Sequence, residues 1–149
     1  MRFNKIAKVV LFTLIINSFF IEANARENGA KFNWGPLMDA IIQVESEGNS
    51  RAVSGKSCGA MQITPILVED CNIILKKRGS AKRYTLNDRF SVKKSREMFV
   101  LIMSHYNPSN NVERAIRLWN GGVNYTKRGT QGYYNKVMRL YNNYALNIH

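Results

Sequence analysis

Glu45 sits where an amphipathic helix would place an apolar side chain. From Trp34 to Glu45, apolar residues stand at 34, 37, 38, 41 and 42, the three-and-four recurrence of one helix face. At about 100° per residue, Glu45 projects within roughly 20° of both Trp34 and Met38. A carboxylate within an apolar stripe loses hydration, and lost hydration raises its pKa. A carboxylic acid that keeps its proton toward neutrality can protonate a poor leaving group. Glu47, about 200° further round, falls on the solvated side at the helix end. On this pattern alone, a salt-bridged or rim position is the alternative for Glu45.

The amino terminus has the features of an export signal. Arg2, Lys5 and Lys8 precede an apolar run from Val9 to Ile21, and Ala23-Asn24-Ala25 matches the small-residue cleavage pattern. The run is short against the about 20 apolar residues of a membrane span, with an uncleaved anchor as the alternative. Cleavage after Ala25 leaves residues 26–149 as one domain with a single core and no stable membrane anchor. Export makes Cys58 and Cys71 a disulfide candidate, and two free core thiols are the other reading. No metal or cofactor is expected, because His105 and His149 have no companion at ligand spacing.

The charge is one-sided. Residues 1–25 carry three of the 22 basic and one of the 10 acidic side chains, leaving a net charge of +10 on the remainder. Such a surface attracts polyanions, and for an exported chain an acidic wall polymer is the nearest of these. A nucleic-acid binder rests on charge alone and is not expected. Lys76-Lys77-Arg78 and Lys93-Lys94 read as solvated helix faces.

The elements that must position Glu45 are helical. The first helix stops at Gly48-Asn49-Ser50, and a polar loop runs on through Gly55 and Gly59. Pro65 suits the first turn of a second helix closed by Gly79. Asn87 or Asp88 is placed to cap a third segment, Ser91 to Tyr106. Val112 to Trp119 forms a short helix ended by Asn120-Gly121-Gly122, and Tyr133 to Ala145 a last amphipathic one. No stretch alternates long enough for a strand. The fold class is all-α or nearly so, a single domain of five or six helices.

Four segments carry a resemblance beyond periodicity. Glu45-Ser46, then Gly59-Ala60-Met61-Gln62-Ile63-Thr64-Pro65, then Leu118-Trp119-Asn120-Gly121-Gly122, then Thr130-Gln131-Gly132-Tyr133-Tyr134-Asn135-Lys136-Val137 with Tyr141 follow one another along the chain. In that order they resemble the signature segments of the soluble lytic transglycosylase family. The resemblance implies a lysozyme-like helical fold whose partner is the peptidoglycan glycan strand, with Glu45 as the single catalytic acid/base. It further implies cleavage between N-acetylmuramic acid and N-acetylglucosamine, with the muramic 6-hydroxyl attacking internally to leave an anhydro end.

The supporting residues implied are Ser46 beside the acid, Met61 and Gln62 along the sugar groove, Trp119 and Asn120 near the substrate, and Tyr133 as hydrogen-bond partner of the acid. A plain helix end for Ser46, core filling for Met61 and the helix-ending turn for Asn120 are the other readings. Three departures stand out. Trp119 replaces a tyrosine, so a hydroxyl is missing; Gly129 stands where the family has glutamate; and Ala60 replaces a leucine. Two rivals remain: a hydrolytic lysozyme-type muramidase, for which Asp88 is the first candidate second carboxylate, and a non-catalytic, basic wall-binding module. Wall growth, passage of a secretion or conjugation apparatus, and phage action are equally compatible contexts.

Overall fold

A computed structural model of the protein describes residues 32–146. The expected signal segment, residues 1–25, lies outside them. Residues 33–146 form one unit. Its helices among the described residues are α1 (Gly35–Ser46), α2 (Pro65–Lys77), α3 (Val92–Tyr106), α4 (Val112–Gly121) and α5 (Lys127–Leu146). A two-stranded hairpin, β1 (Val53–Ser54) and β2 (Ser57–Cys58), lies between α1 and α2, and a 3-10 turn (Leu86–Phe90) leads into α3. The nearly all-helical class expected from sequence is the one found. No helix among the described residues is long and apolar enough to cross a membrane.

Local chemistry sets most boundaries. Thr64 caps α2, its hydroxyl accepting from the Leu67 amide at 3.2 Å, and Pro65 follows in the first turn, where its missing N–H costs nothing. Ser91 caps α3 and Asn111 caps α4 through the Lys94 and Arg114 amides. Asp88 closes a capping box with Thr85 and pairs with Lys94 at 2.6 Å, so it serves the 3-10 turn rather than capping α3. The last helix starts six residues before Tyr133, because Lys127 to Gly132 lacks apolar periodicity yet is held by contacts from α4.

One core runs through the domain. Leu37 and Ile41 of α1, Ile74 of α2, Met98, Phe99 and Met103 of α3, Ile116 of α4 and Val137 of α5 are fully buried. Helix α5 packs along both α1 and α4, and α3 packs on α2. Phe99 lies between Trp34 and Trp119, with ring centroids 5.6 and 5.1 Å away. The expected disulfide is not formed. Cys58 and Cys71 are separate buried thiols. Cys58 is bridged to Ile63 in the hairpin region, whereas Cys71 lies on the α2 face toward α3, its sulfur 3.9 Å from the Met98 carbonyl. Burial, with the Asp70 charge beside it, pushes the Cys71 thiol up to about 12.

The hairpin is held by close backbone contact. Arg89 is buried and donates to the carbonyls of Lys56 (3.0 Å), Ile63 (3.3 Å) and Leu86 (2.8 Å). Gly59, at φ 78°, passes so near that a Cβ there would stand 1.8 Å from the Arg89 carbonyl oxygen. Gly48, at φ 85°, has open space around it. Both positions strain an L side chain, but only Gly59 also forces backbone apart. Gly59→Ala should therefore cost about 2–3 kcal/mol, a fall of about 10 °C in thermal midpoint. Gly48→Ala should cost about 1 kcal/mol, and thermal denaturation of both variants checks the difference.

Candidate active site

Glu45 occupies the last turn of α1, one residue before Ser46. The helix ends there because Glu47 turns left-handed (φ 54°), its amide donating to the Gln43 carbonyl at 3.1 Å. The Ser46 hydroxyl donates to the Ala60 carbonyl at 2.8 Å, tying the end of α1 to the loop after the hairpin. That loop is tight: Cys58 and Ile63 exchange two backbone hydrogen bonds at 3.0 and 2.9 Å across Gly59 to Gln62. Gln62 itself is left-handed (φ 49°), and its side-chain amide donates to the carbonyls of Gly59 (2.9 Å) and Ala52 (3.4 Å). With its nitrogen so committed, Gln62 offers a ligand chiefly its carbonyl oxygen.

Glu45, Ser54, Ser57, Gln62, Thr64, Leu67, Trp119 and Asn120 line a cavity of about 270 Å³. Glu45 is the only charged side chain among them. Four parts of the chain converge here: the end of α1, the hairpin with its following loop, the first turn of α2, and the end of α4. Thr64, Leu67, Trp119 and Asn120 also border a second, more apolar groove of about 490 Å³, so the two form one continuous cleft. Trp119 is half-buried, with the Phe99 ring tilted against it at 54°, and it borders both parts of the cleft.

The Tyr133 hydroxyl donates to Glu45 Oε1 at 2.7 Å, joining α5 to α1. Burial raises the Glu45 pKa above its ordinary 4.5, and the Tyr133 hydrogen bond partly opposes the rise. Burial and the neighbouring Glu45 charge push the Tyr133 phenol well above its ordinary range, so it remains a donor. The site thus holds a partly desolvated carboxyl group, hydrogen-bonded by a phenol, beside a cavity lined with hydroxyl and amide groups.

Of the residues expected from sequence, the structure brings Glu45, Gln62, Trp119 and Asn120 to the cavity wall. Tyr133 stands behind Glu45, in contact with it. Ser46 ties helix to loop, away from the cavity lining. Met61 does not line the groove: it is fully buried, because the alternation of the tight loop turns it inward as Gln62 turns outward. Asp88, the proposed second carboxylate of a hydrolase, is engaged by Thr85 and Lys94 outside the cavity. Sequence reasoning missed Ser54, Ser57, Thr64 and Leu67 as lining residues. Ser57 comes from a two-residue strand, too short to leave an alternation signal, and Leu67 looked like ordinary core.

A family model described as the transglycosylase SLT domain matches residues 21–142. Searches of the curated proteins and of the solved structures find no match. The match spans every segment that builds the cleft, from α1 to Tyr133, and the chain belongs to the transglycosylase SLT family, whose activity is of the peptidoglycan transglycosylase type.

Proposed function

We propose that this protein is an exported, periplasmic or secreted lytic transglycosylase that cuts peptidoglycan between N-acetylmuramic acid and N-acetylglucosamine, with Glu45 as its single acid/base. The observation that carries this reading is the Glu45 carboxyl, desolvated in the cleft and held by the Tyr133 hydroxyl. The protonated acid gives its proton to the bridging oxygen as the glycosidic bond breaks. The N-acetyl group of the muramic residue stabilises the positive sugar centre. Carboxylate Glu45 then accepts the proton of the muramic 6-hydroxyl as that oxygen closes on the anomeric carbon, which returns the acid to its starting form and leaves an anhydro end.

Hydrolysis with two carboxylates needs a second acid across the sugar to activate water. Among the described residues, Glu45 is the one carboxylate in the cavity's own lining, while Glu69 and Asp70 border the adjoining groove, where Asp70 accepts from the Tyr106 hydroxyl at 3.0 Å. That favours the internal hydroxyl over water as the attacking group. The hydroxyl and amide groups of Ser54, Ser57, Gln62, Thr64 and Asn120 suit sugar hydroxyls, and Trp119 suits a sugar face. The positive net charge favours approach to an anionic wall.

Mass spectrometry of digested peptidoglycan should find anhydro-muramic ends; reducing muramic ends would instead establish the hydrolase. Glu45→Gln should lower the cleavage rate by about 10²–10⁴-fold while wall binding is retained. Unchanged cleavage would remove Glu45 from the chemistry and leave a wall-binding module. The same variant tests burial of the charge. The folded-state pKa of Glu45 lies above its unfolded 4.5, so the stability contributed by its neutral form is fully present below pH 4.5 and is lost as pH rises through the folded value. Glu45→Gln has no proton to lose. Its thermal midpoint should exceed that of wild type at neutral pH and match it below pH 4.5.

Tyr133→Phe removes the hydrogen bond that holds the Glu45 pKa down. Because the acid form starts the reaction, the alkaline limb of the pH–rate profile should move to higher pH. Cleavage at the optimum should drop about tenfold, the loss of about 1.5 kcal/mol from a charge-assisted bond.

A further inference from the structure

Arg117 is charged yet buried, with 3% of its side chain exposed, and it lies on α4 two residues before Trp119. Its fork has five N–H groups. Nε donates to Glu113 Oε1 at 2.8 Å, Nη1 to the Lys127 carbonyl at 2.9 Å and Thr130 Oγ1 at 3.0 Å, and Nη2 to Gln131 Oε1 at 2.9 Å. The guanidinium carbon lies 4.4 Å from the centroid of the Tyr134 ring. Glu113 apart, every partner belongs to the first two turns of α5. Thr130 is buried too, and its hydroxyl donates onward to the Thr126 carbonyl at 2.8 Å.

The two helices also meet at contact distance. A Cβ on Gly121 would stand 2.9 Å from the Thr130 methyl and 2.7 Å from Tyr125 Cβ. Gly129, at the family's glutamate position, contributes no side chain, so α5 is fastened here from α4. A buried guanidinium is costly to desolvate, and apolar side chains of similar volume often stabilise a fold as well or better. What a fork with three directed bonds to the neighbouring helix adds is a fixed rotation and height of one helix on another.

That rotation matters at Tyr133, which lies between Gln131 and Tyr134 on the same helix. Its hydroxyl stands about 9 Å from the helix axis, so turning α5 by about 10° moves it about 1.5 Å. A displacement of that size breaks a 2.7 Å hydrogen bond. We propose that Arg117 is a positioning residue for glycan cleavage, its fork setting α5 on α4 so that the Tyr133 hydroxyl meets the Glu45 carboxyl. The proposal rests on the reading of Glu45 as the acid/base.

The test is a double-mutant cycle on wild type, R117M, Y133F and R117M/Y133F, with steady-state cleavage of purified peptidoglycan and thermal midpoints measured together. R117M should lower kcat about tenfold with KM little changed. In the Y133F background the same substitution should cost less than about twofold, because the contact it serves is already gone. R117K keeps the charge but not the fork, and should behave like R117M. Gln131→Ala removes one exposed partner without unfolding the helix, and gives a smaller loss in the same sense if R117M fails to fold. Equal losses with and without the Tyr133 hydroxyl, or full rescue by lysine, would overturn the proposal while leaving Glu45 in its role. A wild-type protein that cuts no glycan, with these variants folded, would overturn the Glu45 reading first.

Discussion

The hydrogen bond from Tyr133 to Glu45 spans 88 positions of sequence and joins the first described helix to the last. It can exist only if α5 packs along α1, and α5 is held there by the core around Val137 and by α4. The same packing strips water from one side of Glu45, while the cleft leaves the other side open to a ligand. Burial and hydrogen bonding act on the carboxyl in opposite senses. Burial favours the neutral form and the phenol favours the charged one, with burial the larger of the two. A group with those two pulls suits a reaction in which it must first give and then take back a proton.

The cleft is assembled from segments that have little regular structure of their own. The hairpin strands have two residues each, and the loop after them is held by backbone bonds, the Ser46 hydroxyl and the Arg89 guanidinium. Those anchors turn short polar stretches into a fixed wall. Gly59 shows the tolerance: the chain passes the Arg89 carbonyl with no room for a methyl group. The rigidity of the wall is therefore supplied by polar tethers to the helices, with Met61 and Ile63 as apolar pins beneath it.

Periodicity made the helices legible. The apolar stripe of α1 and the Pro and Gly punctuation around α2 gave boundaries within a residue or two, and the placement of Glu45 beside Met38 followed from the same 3.6-residue repeat. Legibility failed where contacts made at a distance decide structure. The start of α5 at Lys127 depends on Arg117, whose partners on that helix lie ten to seventeen positions away. The inward turn of Met61 depends on a left-handed Gln62, and no local pattern announces it. The cysteines were read from compartment and spacing, but the helix face that carries Cys71 is set by packing on α3. Pairing of Tyr133 with Glu45 was reached through family resemblance, because no local rule connects residues so far apart.

The aromatic column of Trp34, Phe99 and Trp119 has an optical consequence. The chain has two tryptophans. One is sealed in the core at 6% exposure, and the other stands half-covered at the mouth where a saccharide would lie. Emission from the first follows the integrity of the fold, while the second senses whatever displaces water from the indole. Occupancy and unfolding therefore reach the same fluorimeter as separable signals, with no label attached to the protein or the glycan.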